Sequence, residues 1–253
     1  MDKLIKYLLF FLVSFVAIEG FSHEESQINS MAFVSYDADV SPKDGEIEII
    51  DVFVPNEEKF YSLMTRYIGY EITLENLNCI KQAVRDYYTK NGYPFVLVNL
   101  LEQDASFGLI KFQVVVSKIA KVCVEGSRYF SQKRVEKSLN LASNDLVSTD
   151  KIIKDLYWIN QNPFRRAGAV FKPGEEPFTT DVDISINDTR PFRVFGEYQN
   201  TGNLIAGDTR FTAGFNWGNV FNLDHQLNFQ FITSTTTKHW WAISANYIVP
   251  LPF

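Results

Sequence analysis

"TLENLNCIKQAVRDYYTKNGYPFVLVNL" (residues 73–100) is the stretch that decides the fold, because its periodicity changes from helical to strand-like at a marked stop. Thr73 is a favourable N-cap residue. Asn91-Gly92-Tyr93-Pro94 ends the predicted helix, and the apolar run behind it predicts a strand from Phe95 to Leu101. Between cap and stop, apolar residues three and four positions apart fall on one helical face: Leu77, Ile80, Val84, Tyr87 and Tyr88.

The elements on either side of this stretch complete a small module. Upstream, Ile47 to Val54 predicts a strand, and Asn56 caps a helix that Gly69 ends. Downstream, Leu109 to Val116 predicts another strand. The predicted order is therefore strand, helix, helix, strand, strand, which is an α+β module.

The same order recurs directly downstream. A strand is predicted from Lys121 to Val124. Two helices follow, capped by Ser131 and Ser148, and Asn162-Pro163 stops the second of them. A strand pair, Ala167 to Phe171 and Val182 to Ile186, ends the unit. Repetition of one supersecondary unit at similar spacing is more informative than either copy alone. The sequence therefore predicts two copies of one βααββ module.

From Phe192 onward, apolar and polar residues alternate with a period of two, most clearly in Phe211 to Trp217, Leu227 to Phe231 and Trp241 to Tyr247. A soluble antiparallel sheet with one buried face shows this pattern. A transmembrane barrel shows it too, and the mostly uncharged polar side with Trp or Tyr near the strand ends favours the barrel. About four strands fit before Phe253, whereas the smallest closed membrane barrels have roughly eight. We therefore expect an incomplete barrel in a chain that is either a natural truncation or a fragment.

The chain resembles the two-partner secretion transporters, which are the haemolysin secretion/activation proteins of Gram-negative outer membranes. The resemblance lies in the opening stretch and in "GLIKFQVVVSKIAKVCVEG" (108–126), "LYWINQNPFRRAGAVFKPGEEPFTTDVDISIND" (156–188) and "EYQNTGNLIAGDTRFTAGFNWGNVFNLDHQLNFQF" (197–231). The fold that it implies is α+β: tandem POTRA (βααββ) domains followed by the first antiparallel strands of an incomplete transmembrane β-barrel.

The N-terminus predicts an export signal. Lys3 and Lys6 precede an apolar run from Leu8 to Ile18, and Gly20-Phe21-Ser22 supplies the small residues of a cleavage site. The domains that we expect are a signal peptide (1–22), a linker (23–44), POTRA domain 1 (45–118), POTRA domain 2 (119–190) and a partial outer-membrane β-barrel (191–253).

The resemblance implies a transporter component in the outer membrane, with its POTRA domains in the periplasm. These domains would recognise an unfolded secreted client protein and pass it to a barrel pore, so the expected partners are the client and the outer-membrane lipid. Two other functions stay open. One is an outer-membrane protein assembly factor with a similar plan, and the other is a soluble periplasmic protein-interaction module whose last strands form an ordinary sheet.

The client is expected to add a strand to an exposed sheet edge of the second module, because such pairing uses main-chain hydrogen bonds and makes loose sequence demands. The short predicted strand Ala167 to Phe171 is the candidate, since it lies next to the barrel and follows two arginines. The candidate client-binding residues are Arg165, Arg166, Ala167, Ala169 and Phe171.

Composition and motifs argue against other functions. The net charge of −6 leaves no basic excess for nucleic acid. His23, His225 and His239 lie far apart in the sequence without metal-ligand spacing, and no nucleotide-binding or catalytic fingerprint occurs. We therefore predict that the protein is not an enzyme and has no cofactor, metal or small-molecule substrate. Cys79 and Cys123 would meet an oxidising compartment; the sequence favours two free thiols and leaves a disulfide open.

Overall fold

The computed structural model describes residues 27–36, 45–105, 107–200, 209–234 and 240–251. The predicted signal peptide, His23 and His239 lie outside the described residues. The described residues divide into two compact units: the first holds those up to residue 51 together with 56–82 and 100–113, and the second holds 52–55, 83–99 and those from residue 114 onward.

The first unit is built around a buried strand that the sequence analysis did not predict. This strand, β1 (Ser30–Val34), lies between β2 (Ile47–Ile50) and the start of β4 (Leu109–Val116) and pairs with both in parallel. On one side of β1, the ring of Phe33 packs against those of Phe60 and Phe112, with centroids 4.9 and 5.6 Å away. All five residues of β1 are buried, which is why they show no alternation of apolar and polar residues.

Two helices in this unit begin at the caps that the sequence predicts. The Asn56 side chain accepts a hydrogen bond from the Lys59 amide at the start of α1 (Glu57–Met64). A short 3₁₀ helix, Thr65–Tyr67, extends α1 by one turn. The Thr73 hydroxyl accepts from the Asn76 amide (3.1 Å) at the start of α2 (Leu74–Lys90), whose second half lies in the second unit.

In the second unit, α2 ends at the predicted stop. Gly92 has φ of +85°, in the left-handed region that glycine adopts without cost. The chain then enters β3 (Val96–Leu100), which pairs with β4. The Tyr88 hydroxyl on α2 donates a hydrogen bond to the Phe53 carbonyl (2.8 Å).

The second module lies wholly in the second unit. Its elements follow the predicted order: β5 (Lys118–Glu125), α3 (Gln132–Ser138), α4 (Thr149–Ile159), β6 (Arg165–Pro173) and β7 (Thr179–Asp188). In the sheet, β7 lies in the centre, parallel to β5 and antiparallel to β6. Ser131 and Ser148 occupy the predicted N-cap positions, although neither side chain makes the capping hydrogen bond. Apolar side chains from the helices and the sheet form one core, including Ile119, Val135, Ile152, Ile159, Val182 and Ile184.

The chain continues into a four-stranded antiparallel sheet of β8 (Phe192–Gln199), β9 (Arg210–Val220), β10 (His225–Ser234) and β11 (Trp241–Ile248), paired in sequence order. Many large apolar side chains on it are exposed, among them Phe192, Val194, Tyr198, Trp241, Ile243 and Tyr247. The prediction of two α+β modules and a set of antiparallel strands is confirmed to this extent. None of the described helices is long and apolar enough to cross a bilayer. Cys79 is exposed, Cys123 is half-buried, and both are free thiols.

Candidate functional site: an open sheet edge and a polar joint

One edge of the second module's sheet is open. β6 pairs with β7 over nine positions, from Arg165 opposite Asp188 to Pro173 opposite Thr180. No strand in the described part of the chain pairs with the other side of β6. A row of main-chain donors and acceptors therefore faces away from the sheet.

The Asn160 side chain shows which residues of β6 face outward. The Ala167 amide donates to Asn160 Oδ1 (2.7 Å), and the Ala167 carbonyl accepts from Asn160 Nδ2 (3.0 Å). Both polar groups of Ala167 thus point away from β7 and are already bonded. Since successive residues of an antiparallel strand alternate in direction, the amide and carbonyl of Ala169 and Phe171 point the same way. These two residues form the open part of the edge.

An apolar hollow lies next to this open part. The Phe171 ring packs against the Phe95 ring at 4.8 Å between centroids. Around them, residues of β3, of the β6–β7 turn and of the start of β7 line a hollow of about 440 Å³, including Val96, Leu97, Phe178 and Thr180. Across the strand pair, the Lys172 ammonium forms an ion pair with Asp183 at 2.5 Å. The hydrogen bond to this carboxylate raises the pKa of the Lys172 ammonium. Because the two groups form an ion pair, their charges offset each other at the Lys172 end of β6.

The two predicted arginines have different surroundings. Arg166 is exposed, and its guanidinium donates to the Arg165 carbonyl (3.0 Å). Arg165 is 6% exposed and turns inward instead. Its Nε donates to the Ile159 carbonyl (2.7 Å), and its guanidinium lies 5.1 Å from the centre of the Phe130 ring. Of the five predicted client-binding residues, Ala167, Ala169 and Phe171 share the outward direction, Arg166 lies beside them at the surface, and Arg165 does not reach the edge.

Arg165 instead belongs to a polar joint between the second module and the β9–β10 turn. Its Nη2 forms an ion pair of 2.7 Å with Asp224 in this turn. Asn162 Nδ2 donates to the Gly218 carbonyl (2.6 Å) and to Asp224 Oδ1 (2.9 Å). Asn162 Oδ1 accepts from the Phe164 amide (3.1 Å), which holds the side chain in this orientation.

A second set of hydrogen bonds in the joint runs through the loop between β5 and α3. Asp188 Oδ2 accepts the amides of three successive loop residues, Arg128 (2.9 Å), Tyr129 (2.8 Å) and Phe130 (3.3 Å). The Tyr129 carbonyl then accepts from Asn219 Nδ2 (2.8 Å) on β9. Because Asp188 fixes the loop and the loop bonds to Asn219, the second module contacts both the β9–β10 turn and the end of β9 that leads into it.

The turn itself adopts a demanding backbone conformation. Phe221, Asn222 and Asp224 have φ of +53°, +58° and +65°, a region that non-glycine residues seldom adopt. Asn219 Oδ1 accepts the Asp224 amide (3.0 Å) inside the turn. The side-chain bonds of the joint therefore stabilise a conformation that local propensity alone does not favour.

Sequence reasoning missed this joint. From the sequence, Asn162-Pro163 is predicted only to stop a helix. The paired residues lie about 60 positions apart, so no local pattern joins them. The signal that the sequence does offer is local: the polar and charged residues Asn222 and Asp224 follow closely after the strand that contains Phe211 to Trp217. In the described part of the chain, no group of three or more His, Cys, Asp or Glu side chains is placed to hold a metal ion.

Comparisons with known proteins agree with this architecture. The POTRA domain family of the ShlB type matches residues 46–117. The heme/hemopexin transporter protein HuxB of Haemophilus influenzae (strain 86-028NP) is 23% identical over 174 residues, which is 68% of this chain and 31% of that protein. The outer membrane transporter CdiB of Dickeya dadantii (strain 3937) is 19% identical over 165 residues, 65% of this chain and 29% of that protein. The chain thus spans less than a third of the length of the curated relatives that it matches.

Two solved structures share the fold. CdiB from Escherichia coli has a TM-score of 0.69 at 16% identity, over 94% of this chain and 42% of that one. CdiB from Acinetobacter baumannii has a TM-score of 0.62 at 14% identity, over 99% of this chain and 49% of that one. The predicted resemblance is confirmed: the chain is a homologue of the outer-membrane transporters of two-partner secretion, a family of transporters and not of enzymes.

Proposed function

We propose that this chain is part of an outer-membrane secretion transporter that takes up an unfolded secreted protein in the periplasm through the open edge of β6. In this proposal, residues 45–118 and 119–190 are the two periplasmic POTRA domains and residues 191–253 are the first strands of the barrel. The observation that carries the proposal is the outward direction of Ala169 and Phe171 on an edge strand with no partner among the described residues.

Strand addition suits the cargo of a transporter. An extended client segment gains main-chain hydrogen bonds at Ala169 and Phe171 whatever its sequence. The hollow beside Phe95 and Phe171 would take an apolar side chain of the added strand. Backbone pairing thus supplies general affinity, and the hollow supplies a mild preference for apolar residues.

The four-stranded sheet supports the membrane part of the proposal. Val194 is 70% exposed, Trp241 59% and Ile243 56%, and a soluble protein seldom exposes so large an apolar surface. Lipid would cover such side chains in a barrel wall. Between β9 and β10 the Asn216 and Asn228 side chains are hydrogen-bonded to each other (2.6 Å), as uncharged polar residues on the inner side of a barrel would be. This favours a barrel over an ordinary sheet of a soluble interaction module.

The test is binding of a fluorescein-labelled extended peptide of alternating Val and Thr to the full chain in detergent micelles, read by fluorescence anisotropy. Ala169→Pro removes one outward donor and is tolerated at an edge strand. Loss of a main-chain bond and a steric clash at the edge are expected to weaken binding by about tenfold. Val170→Thr changes an exposed side chain on the same strand and keeps every donor, so binding should stay unchanged.

A peptide with an N-methyl group on every residue provides the second arm, because it has no main-chain donor on either side of the strand. It should bind at least about tenfold less tightly than the parent peptide. An Ala169→Pro variant with the parent circular dichroism spectrum and undiminished binding would exclude this edge as the client site.

A further inference from the structure

A second hollow, of about 620 Å³, lies between α3 and α4 of the second module. It shares no lining residue with the hollow beside β6. Its volume falls in the range of sites that hold a ligand of substantial size. Its wall contains Lys137, Ser138, Ile153, Lys154, Tyr157 and Trp158.

Helix α4 turns apolar side chains to both of its sides. Ile152 and Ile159 are buried in the module's core. On the other side, Ile153 is 61% exposed and Tyr157 is 71% exposed, one turn apart on the same face. A surface helix of a globular protein normally carries polar residues there. This part of α4 therefore has the character of a contact surface.

The accessible charge of the hollow is positive. Lys137 and Lys154 line it, and neither forms an ion pair with any described carboxylate. The one acidic residue of the lining, Asp155, is 4% exposed, and its two oxygens accept from the Asn140 amide (2.8 Å) and from Asn140 Nδ2 (2.9 Å). An apolar hollow flanked by two unpaired lysines thus lies on a chain whose net charge is −6.

We propose that this hollow binds an acidic amphipathic segment of a partner protein. An aromatic or aliphatic side chain of the segment enters between Ile153 and Tyr157, and carboxylates next to it pair with Lys137 and Lys154. Charge complementarity favours a negatively charged segment, because a basic segment would be repelled by both lysines. Concavity favours a protein segment over a lipid surface, since a flat bilayer would leave the hollow unfilled. The site is separate from the β6 edge and does not depend on it.

The experiment uses the full chain in neutral detergent micelles and two labelled peptides with the same Leu-Phe anchor, one flanked by Glu and the other by Lys. Fluorescence anisotropy should show the Glu peptide binding about fivefold or more tightly than the Lys peptide, as two solvated ion pairs allow. The double variant Lys137→Glu/Lys154→Glu should reverse this order. Lys133→Glu changes an exposed lysine of α3 outside the hollow and is the matched charge control; it should preserve the order.

Tyr157→Ser should weaken binding of both peptides, because it removes part of the apolar wall. Ala169→Pro should affect neither peptide, which separates this site from the client edge. The proposal is wrong if the two peptides bind equally, or if the double variant keeps the preference of the parent. It is also wrong if the double variant loses binding to phosphatidylglycerol vesicles while its peptide binding is unchanged, since the surface would then bind lipid.

Discussion

Arg165 on β6 and Asp224 in the β9–β10 turn form an ion pair of 2.7 Å although 59 positions separate them in the sequence. Their side chains are 6% and 19% exposed. Little water screens this pair, and each charge would be left without its partner if the other were removed. The pair is thus the part of the joint whose loss should cost most.

Arg165→Ala should lower the free energy of unfolding by about 3 kcal/mol, because it leaves the Asp224 carboxylate largely buried without its partner. Chemical unfolding of the full chain in detergent micelles, followed by circular dichroism, measures this. The exposed pair of Lys151 and Asp145, at 3.6 Å, is the comparison. A double-mutant cycle should give a coupling energy of about 0–1 kcal/mol there and a larger one for Arg165 and Asp224. Equal coupling energies in both pairs would contradict the conclusion that Arg165 and Asp224 form the stronger pair.

Gly218→Ala should destabilise the joint by about 1–3 kcal/mol, as overpacking of a filled site does. A Cβ at Gly218 would overlap the Phe164 ring and lie 3.1 Å from Asn162 Oδ1. Gly196 on β8 is the matched control, since its nearest neighbour would be the Thr212 carbonyl at 3.9 Å. Thermal unfolding should separate the two variants by several degrees. The close packing around Gly218 would be refuted if both variants melted together.

Tyr88→Phe should flatten the loss of stability at alkaline pH. Burial, with a smaller contribution from Tyr87, raises the pKa of the Tyr88 hydroxyl above its ordinary 10.0. Above pH 10 the unfolded chain therefore releases this proton before the folded chain does, and the free energy of unfolding falls as the pH rises. The variant loses this dependence. It should also cost about 1 kcal/mol at neutral pH, because the hydrogen bond to the Phe53 carbonyl is lost.

Chemical unfolding at several pH values from neutral to strongly alkaline measures this difference in slope. Tyr157→Phe changes a tyrosine that is 71% exposed, and its slope should match that of the parent chain. A Tyr88→Phe variant as sensitive to alkali as the parent would show that this hydroxyl does not carry the effect.

Asn160→Ala should enlarge the open edge of β6, because it frees the amide and carbonyl of Ala167. The alternating Val and Thr peptide is then expected to bind more tightly by about fivefold or more, because each of the two freed groups can form a main-chain bond worth about 1 kcal/mol. Gln161→Ala is the control, since it alters the next residue and leaves Ala167 bonded. Unchanged peptide affinity in a folded Asn160→Ala variant would mean that Asn160 does not limit strand addition.

The local parts of the fold were predictable from sequence, because their causes are local. Thr73 and Asn56 cap the helices that they were expected to cap, and Gly92 allows the left-handed turn at the predicted stop. That Ala167, Ala169 and Phe171 share one main-chain direction follows from their period of two, whereas the structure shows that this direction is outward. Only the structure reveals, however, that Asn160 occupies the first of these positions.

The missed parts depend on contacts between distant segments. β1 is covered on every side, so it lacks the alternation that marks a half-buried strand. The sequence predicts Arg165 and Arg166 together as client-binding residues, yet Arg165 pairs with Asp224, which lies in another part of the sequence. Periodicity assigns a residue to a face of its own element, but it does not identify the residue that it meets across the fold.

The polar joint also sets a condition for building chimeras from related chains. Asn162 and Arg165 come from the second module, whereas Gly218, Asn219 and Asp224 come from the sheet. A crossover placed between β7 and β8 would divide these sets between two parents. A foreign sheet grafted onto this module should therefore keep counterparts of Gly218, Asn219 and Asp224, and a chimera that lacks them should be less stable than one that retains them.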